Sequence, residues 1–106
     1  MDSKIQLNLK SKTEFPNLKD NQVALTLAEM TSGQLLNTDK NMYLGEDHLY
    51  HIFDSLEDAK EFAKTTIVNN PKLESWIMTH KDTAIFYLNK NEEKNFSQKK
   101  KAGNNM

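Results

Sequence analysis

Ile5, Leu7 and Leu9 alternate with Lys4, Gln6, Asn8 and Lys10, and this period of two predicts a half-buried strand near the start of the chain. Pro16, Asn17, Asp20 and Asn21 then mark residues 10–21 as a loop, with Phe15 and Leu18 as its anchors to a core. Residues 22–30 fit two periods. Val23, Leu25 and Leu27 alternate with small residues as in a strand, while Val23, Leu27 and Met30 would line one face of a helix. The turn-like Thr31-Ser32-Gly33 and the short apolar return Gln34-Leu35-Leu36 favour a hairpin. Residues 37–47 are polar apart from Met42, Tyr43 and Leu44 and read as a long connection, after which Leu49 to Phe53 form another short strand.

One helix is predicted, over about 55–69. Leu56, Ala59, Phe62, Ala63, Thr66 and Ile67 recur at three- and four-residue spacing, and Glu57, Asp58, Lys60, Glu61 and Lys64 cover the other side. Asp54 or Ser55 can cap its start, where acids suit the helix dipole. Asn69-Asn70-Pro71 ends it, because a proline pushes the preceding residue out of the α region. Leu73 to Thr79 and Thr83 to Leu88 form a closing hairpin around His80-Lys81-Asp82. Alternation puts Trp76 and Met78 on one face of its first strand and Ser75, Ile77 and Thr79 on the other. On the second strand it groups Ile85 with Tyr87, and Ala84 with Phe86 and Leu88.

Strands, one helix and a final hairpin, with no strand–helix–strand repeat, predict an α+β fold: a twisted, mainly antiparallel sheet with the helix packed on one face. A chain of 106 residues is enough for one domain. We place that domain in residues 1–89. Residues 90–106 carry one aromatic, no aliphatic periodicity and five lysines, and are expected to form a disordered lysine-rich tail.

Composition narrows the function classes. The absence of cysteine excludes a disulfide framework, a thiol nucleophile and a cysteine metal site. All 14 basic residues are lysine, so the bidentate arginine contacts common in phosphate clamps and guanine recognition are missing. Three dispersed glycines cannot build a phosphate-cradling loop. The first residues lack an apolar signal core, and no window approaches a membrane span, so a cytoplasmic location is expected. No cofactor, membrane contact or nucleic-acid contact is expected. The Lys99-Lys100-Lys101 run is the one feature that would favour nucleic acid.

Two clusters carry candidate chemistry. His48 and His51, beside Glu46 and Asp47, could serve a small metal-dependent enzyme, but on a strand the two rings point to opposite faces. The second cluster is the closing hairpin. One helix covers one face of a sheet, and Trp76, Met78, Phe86 and Tyr87 cannot all lie beneath it. Either the 37–47 connection folds over the second face, or that face binds a partner or a second copy of the chain. The candidate partner-binding residues are Glu46, Asp47, Trp76, Met78 and Tyr87.

The stretch Phe53-Asp54-Ser55-Leu56-Glu57-Asp58-Ala59-Lys60-Glu61-Phe62-Ala63, followed by Asn70-Pro71, Glu74 to Met78 and a hairpin, resembles small uncharacterised bacterial α+β proteins, some of which are toxin-neutralising immunity proteins. The resemblance implies a non-enzymatic protein that binds another protein stoichiometrically. It assigns no residue a role. A self-associating structural domain is the alternative.

Overall fold

The computed structural model describes residues 14–45 and 47–96. Within them the chain forms β1 (Val23–Glu29), β2 (Leu35–Leu36), β3 (His51–Phe53), α1 (Leu56–Asn69), β4 (Leu73–His80), β5 (Thr83–Leu88) and β6 (Glu93–Asn95). The strand expected at Ile5 to Leu9 lies outside the described residues. The fold is α+β: one helix packs on one face of an open antiparallel sheet. From one edge the order is β2, β1, β4, β5 and β6, and β3 pairs with β1 beside β2.

Residues 23–29 are a strand, which resolves the double periodicity. Val23, Leu25 and Leu27 point toward α1 into the core, and the small Ala24, Thr26 and Ala28 point away from it. The turn to β2 closes with Gly33 N–H donating to the Glu29 carbonyl at 2.8 Å, and Ser32 Oγ donating to Glu29 Oε1 at 2.8 Å. Gly33 has φ +76°, which a residue lacking Cβ adopts without strain.

α1 starts at Ser55, whose backbone is extended and whose Oγ accepts the Asp58 N–H at 3.1 Å. Glu57 and Asp58 occupy the first turn. The helix ends as expected at Asn70, ahead of Pro71. Its buried stripe is Ala59, Ala63, Thr66 and Ile67, with Leu56 and Phe62 half-buried at the margin. The two alanines let the helix lie close to β4 and β1. Replacing Ser55 by alanine removes the cap and is expected to lower stability by about 1 kcal/mol, read as a fall in the urea midpoint.

The core joins this stripe to Val23, Leu25, Leu27, Leu36, Leu73, Ile77, Phe86 and Leu88. Ser75 shares that buried face, and its Oγ has no hydrogen-bond partner among the described residues.

Two differences from the sequence expectation arise in the last three strands. Ile77 lies opposite Phe86 but Met78 opposite Ala84, so Ile85 is an extra residue on β5; Thr79 is the extra residue on β4 before His80 meets Thr83. Ile85 therefore packs against the core instead of sharing a face with Tyr87, and Ala84 faces with Met78. Secondly, the chain does not leave the domain at residue 89. Asn89 Oδ1 accepts the N–H groups of Asn91 at 2.7 Å and Glu92 at 2.9 Å, folding a turn that returns β6 antiparallel to β5. Residues 90–96 of the expected tail thus complete the sheet, and 97–106 lie outside the described residues.

Candidate functional site: the helix-free face of the sheet

With α1 on one face, strand register fixes what the other face carries. Along β1 it is a row of small side chains, Ala24, Thr26 and Ala28. Met78 lies opposite Ala24, Trp76 opposite Thr26 and Glu74 opposite Ala28. Tyr87 lies opposite Trp76, and Lys94 opposite Tyr87. On the other side of β1, Ile52 faces Ala24 and Leu35 faces Ala28, both exposed. The small side chains of the central strand are buried between these taller neighbours, which form two ridges along them.

Trp76 and Tyr87 are the aromatic part of this surface. Their ring centroids are 5.4 Å apart and tilted by 51°. Tyr87 Oη donates to Glu74 Oε1 at 2.6 Å and accepts from Asn89 Nδ2 at 2.8 Å. Burial, reinforced by the Glu74 carboxylate, pushes the phenol of Tyr87 above its ordinary value, so it stays a protonated donor. The same Asn89 folds the turn into β6. The ring orientation is thus set by the bonds of the hydroxyl to Glu74 and Asn89, which leave little side-chain freedom to lose on contact with a partner.

The segment 14–22 borders this surface. The Phe15 ring meets Tyr50 edge-on at 5.2 Å, and Gln22 Nε2 donates to Asp54 Oδ1 at 3.0 Å. A shallow groove of about 880 Å³ runs between this segment, Tyr50 and the Thr79–Lys81 end of the hairpin. Burial raises the Tyr50 phenol as well.

The 37–47 connection follows β2. It runs along the outer edge of β2, where Met42 bridges Leu36 and the Tyr43 N–H donates to the Leu35 carbonyl at 2.8 Å. Met42 and Leu44 remain 56% and 76% exposed. The connection is shaped from within by polar groups. Asn37 Oδ1 accepts the N–H groups of Asp39 at 2.8 Å and Asn41 at 3.0 Å, and Asn37 Nδ2 donates to Asp47 Oδ2 at 2.6 Å. Asp47 Oδ1 also accepts the Leu44 N–H at 3.1 Å. The Asn37 amide is the main reason that the Asp47 carboxyl is held below its ordinary value. Asn37→Ala is therefore expected to move the Asp47 titration upward and to speed hydrogen exchange at Asp39, Asn41 and Leu44, both measurable by NMR.

No protein-family model, curated protein or solved structure matches this chain.

Function is therefore argued from the surface itself. Of the five candidate residues, Trp76, Met78 and Tyr87 come together on the helix-free face. Asp47 belongs to the connection at the β2 edge, where its carboxylate holds the loop. Glu46 lies outside the described residues. Sequence reasoning missed Leu35 and Ile52, because the face of a two- or three-residue strand is set by its register with β1 and not by its own short pattern.

The two histidines proposed as metal ligands separate. His48 is exposed just after the connection, while the His51 ring turns under α1, 4.8 Å from Phe62. No group of three histidine, aspartate or glutamate side chains gathers to hold a metal among the described residues. No helix among them is long and apolar enough to cross a membrane.

Proposed function

We propose that the chain is a cytoplasmic protein-binding module that acts by stoichiometric occlusion, covering a functional site on its partner as toxin-neutralising immunity proteins do. The observation that carries this reading is the Trp76–Tyr87 pair with Met78 on a sheet face that no helix among the described residues covers. Tryptophan, tyrosine and methionine are enriched in the buried centres of protein interfaces, and an aromatic held in place beforehand loses little entropy there.

Charge supports a partner with a basic surface. Residues 14–96 hold 14 acidic side chains against 8 lysines, a net of −6. Among the described residues one ion pair forms, Lys94 with Glu92 at 3.2 Å, so most of their acids have no lysine partner among those residues. An acidic body steers a basic partner and raises the association rate, with a strong dependence on salt.

The test is affinity capture from a lysate of the native organism, with wild-type and Trp76→Ala baits compared and bound proteins identified by mass spectrometry. One stoichiometric protein retained by wild type and lost by the variant supports occlusion through this face. Equal capture by both baits removes the face from the proposal. A wild-type chain that is dimeric by light scattering at micromolar concentration, and monomeric as Trp76→Ala, would assign the same face to self-association instead.

A further inference from the structure

Phe62 joins three parts of the chain. It stands on α1; the ring of His51 from β3 lies 4.8 Å from it and that of Phe53 lies 5.3 Å from it. The Nζ of Lys40, from the 37–47 connection, sits 5.2 Å from the ring centroid. The connection thus reaches the helix through a cation on an aromatic face. Lys40 holds this position with φ +67°, a left-handed conformation that a side chain with a Cβ disfavours. The contact is kept by the Lys40 N–H bond to the Asn37 carbonyl at 2.8 Å and by the Asn37 side-chain bonds around it. A segment held in a disfavoured conformation has a conformational gain waiting when its contact is lost.

His51 is the group in this cluster that changes charge near neutral pH. Its Nε2 is buried and has no hydrogen-bond partner among the described residues. A protonated ring carries N–H on both nitrogens, so protonation in place would leave a charged donor unsatisfied. The groups that face it are Phe62 from α1, Leu25 across the ladder on β1, and Lys40 and Asp39 from the connection. Of the two charged groups, Lys40 acts on it the more strongly, so a second positive charge would meet the one already seated on Phe62.

We propose that His51, Phe62 and Lys40 form an acid-sensitive latch, in which a proton on His51 releases the 37–47 connection from the helix.

The direction follows from linkage. Burial first, and then Lys40, lower the affinity of His51 for a proton in the latched state. Once the connection is released, the ring is freed of the Lys40 charge and its affinity for a proton rises toward the ordinary value. The latch is therefore fully formed above that value. It weakens as the pH falls from there toward the depressed value of the closed state, with the open population rising by up to about tenfold per pH unit. The bond between Asn37 and Asp47 does not titrate in this window, because that carboxyl is held below its ordinary, already acidic, range.

The experiment is NMR on the full chain from pH 7.5 to 5, following the His51 ring and the backbone amides of residues 37–47, with amides of β1 and β4 as the reference for global opening. His48→Gln and His80→Gln are introduced so that His51 is the single histidine. We expect the amides of Asp39 to Leu44 to shift, and their base-corrected exchange to accelerate, with a midpoint shared with the His51 ring and below 6.5, while β1 and β4 stay protected. His51→Phe should abolish the transition. Should that variant fold poorly, Lys40→Met takes the cation off Phe62 and should leave the 37–47 amides without a transition while the midpoint of the His51 ring moves upward. With Lys40 in place, a His51 ring that titrates with the 37–47 amides unmoved overturns the proposal, as does a transition that persists in His51→Phe or one in which β1 and β4 open together with the connection.

Discussion

Phe86→Ala is expected to lower the free energy of unfolding by about 3–5 kcal/mol, the cost of removing a large aromatic from a packed core. Phe86 is 0% exposed, lies opposite Ile77 on the side of the sheet that meets α1, and has the Lys60 ammonium 5.1 Å from its ring centroid. The cavity would open between β5 and α1, where the backbone of a central strand cannot collapse to fill it. Against a typical domain stability of about 5–15 kcal/mol this is a large fraction. The urea midpoint should fall by on the order of 2 M, followed by fluorescence of Trp76, which is the single tryptophan. Val68→Ala is the matched control. That side chain is 78% exposed on α1, so its loss should change stability by less than about 0.5 kcal/mol. A small effect from Phe86→Ala would mean that β5 is paired one residue out of register, with Tyr87 inside and Phe86 outside.

The residues that announced themselves in the sequence are those whose burial follows a local period. The stripe Leu56, Ala59, Phe62, Ala63, Thr66 and Ile67 identified α1 and its inner face, and Ser55 and Pro71 marked its ends. The alternation Val23, Leu25, Leu27 and that of Ser75 and Ile77 against Trp76 and Met78 identified the two faces of β1 and β4. β6 was invisible for the opposite reason. Glu93, Lys94 and Asn95 are all exposed and are held by backbone ladder bonds to β5, which leave no hydrophobic pattern. Its one cue was Asn89 at the end of an apolar strand, a residue suited to a side-chain-to-backbone turn. The paired irregularities around Ile85 and Thr79 were equally hidden, since alternation read from one strand assumes a regular partner. The polar shaping of the 37–47 connection by Asn37 depends on bonds four and ten residues away, which composition alone does not reveal.

The second large effect concerns the open face. Trp76→Ala is expected to weaken partner binding by about 2 kcal/mol or more, some 30-fold, while the domain remains folded. The two consequences separate because Trp76 is half-buried on the face that α1 does not cover, packed on Tyr87 and opposite Thr26. Its removal costs the domain one ring contact of about 0.5–1.5 kcal/mol and some local apolar burial. It costs the interface a rigid aromatic at the middle of the apolar row. Tyr87→Phe divides the contribution further. That change keeps the ring and deletes the hydroxyl that joins Glu74 to Asn89, so it leaves the apolar surface unchanged and loosens its orientation. If the ring surface carries the binding, Tyr87→Phe should weaken it much less than Trp76→Ala. If the fixed orientation carries it, the two losses should be similar and should appear mainly as slower association, because the loosened rings must be ordered during the encounter. Isothermal titration calorimetry and stopped-flow fluorescence of Trp76, applied to wild type and Tyr87→Phe, distinguish the two. An affinity unchanged in both variants would place the binding surface away from this face, and the exposed Met42 and Leu44 at the β2 edge would then be the next residues to substitute.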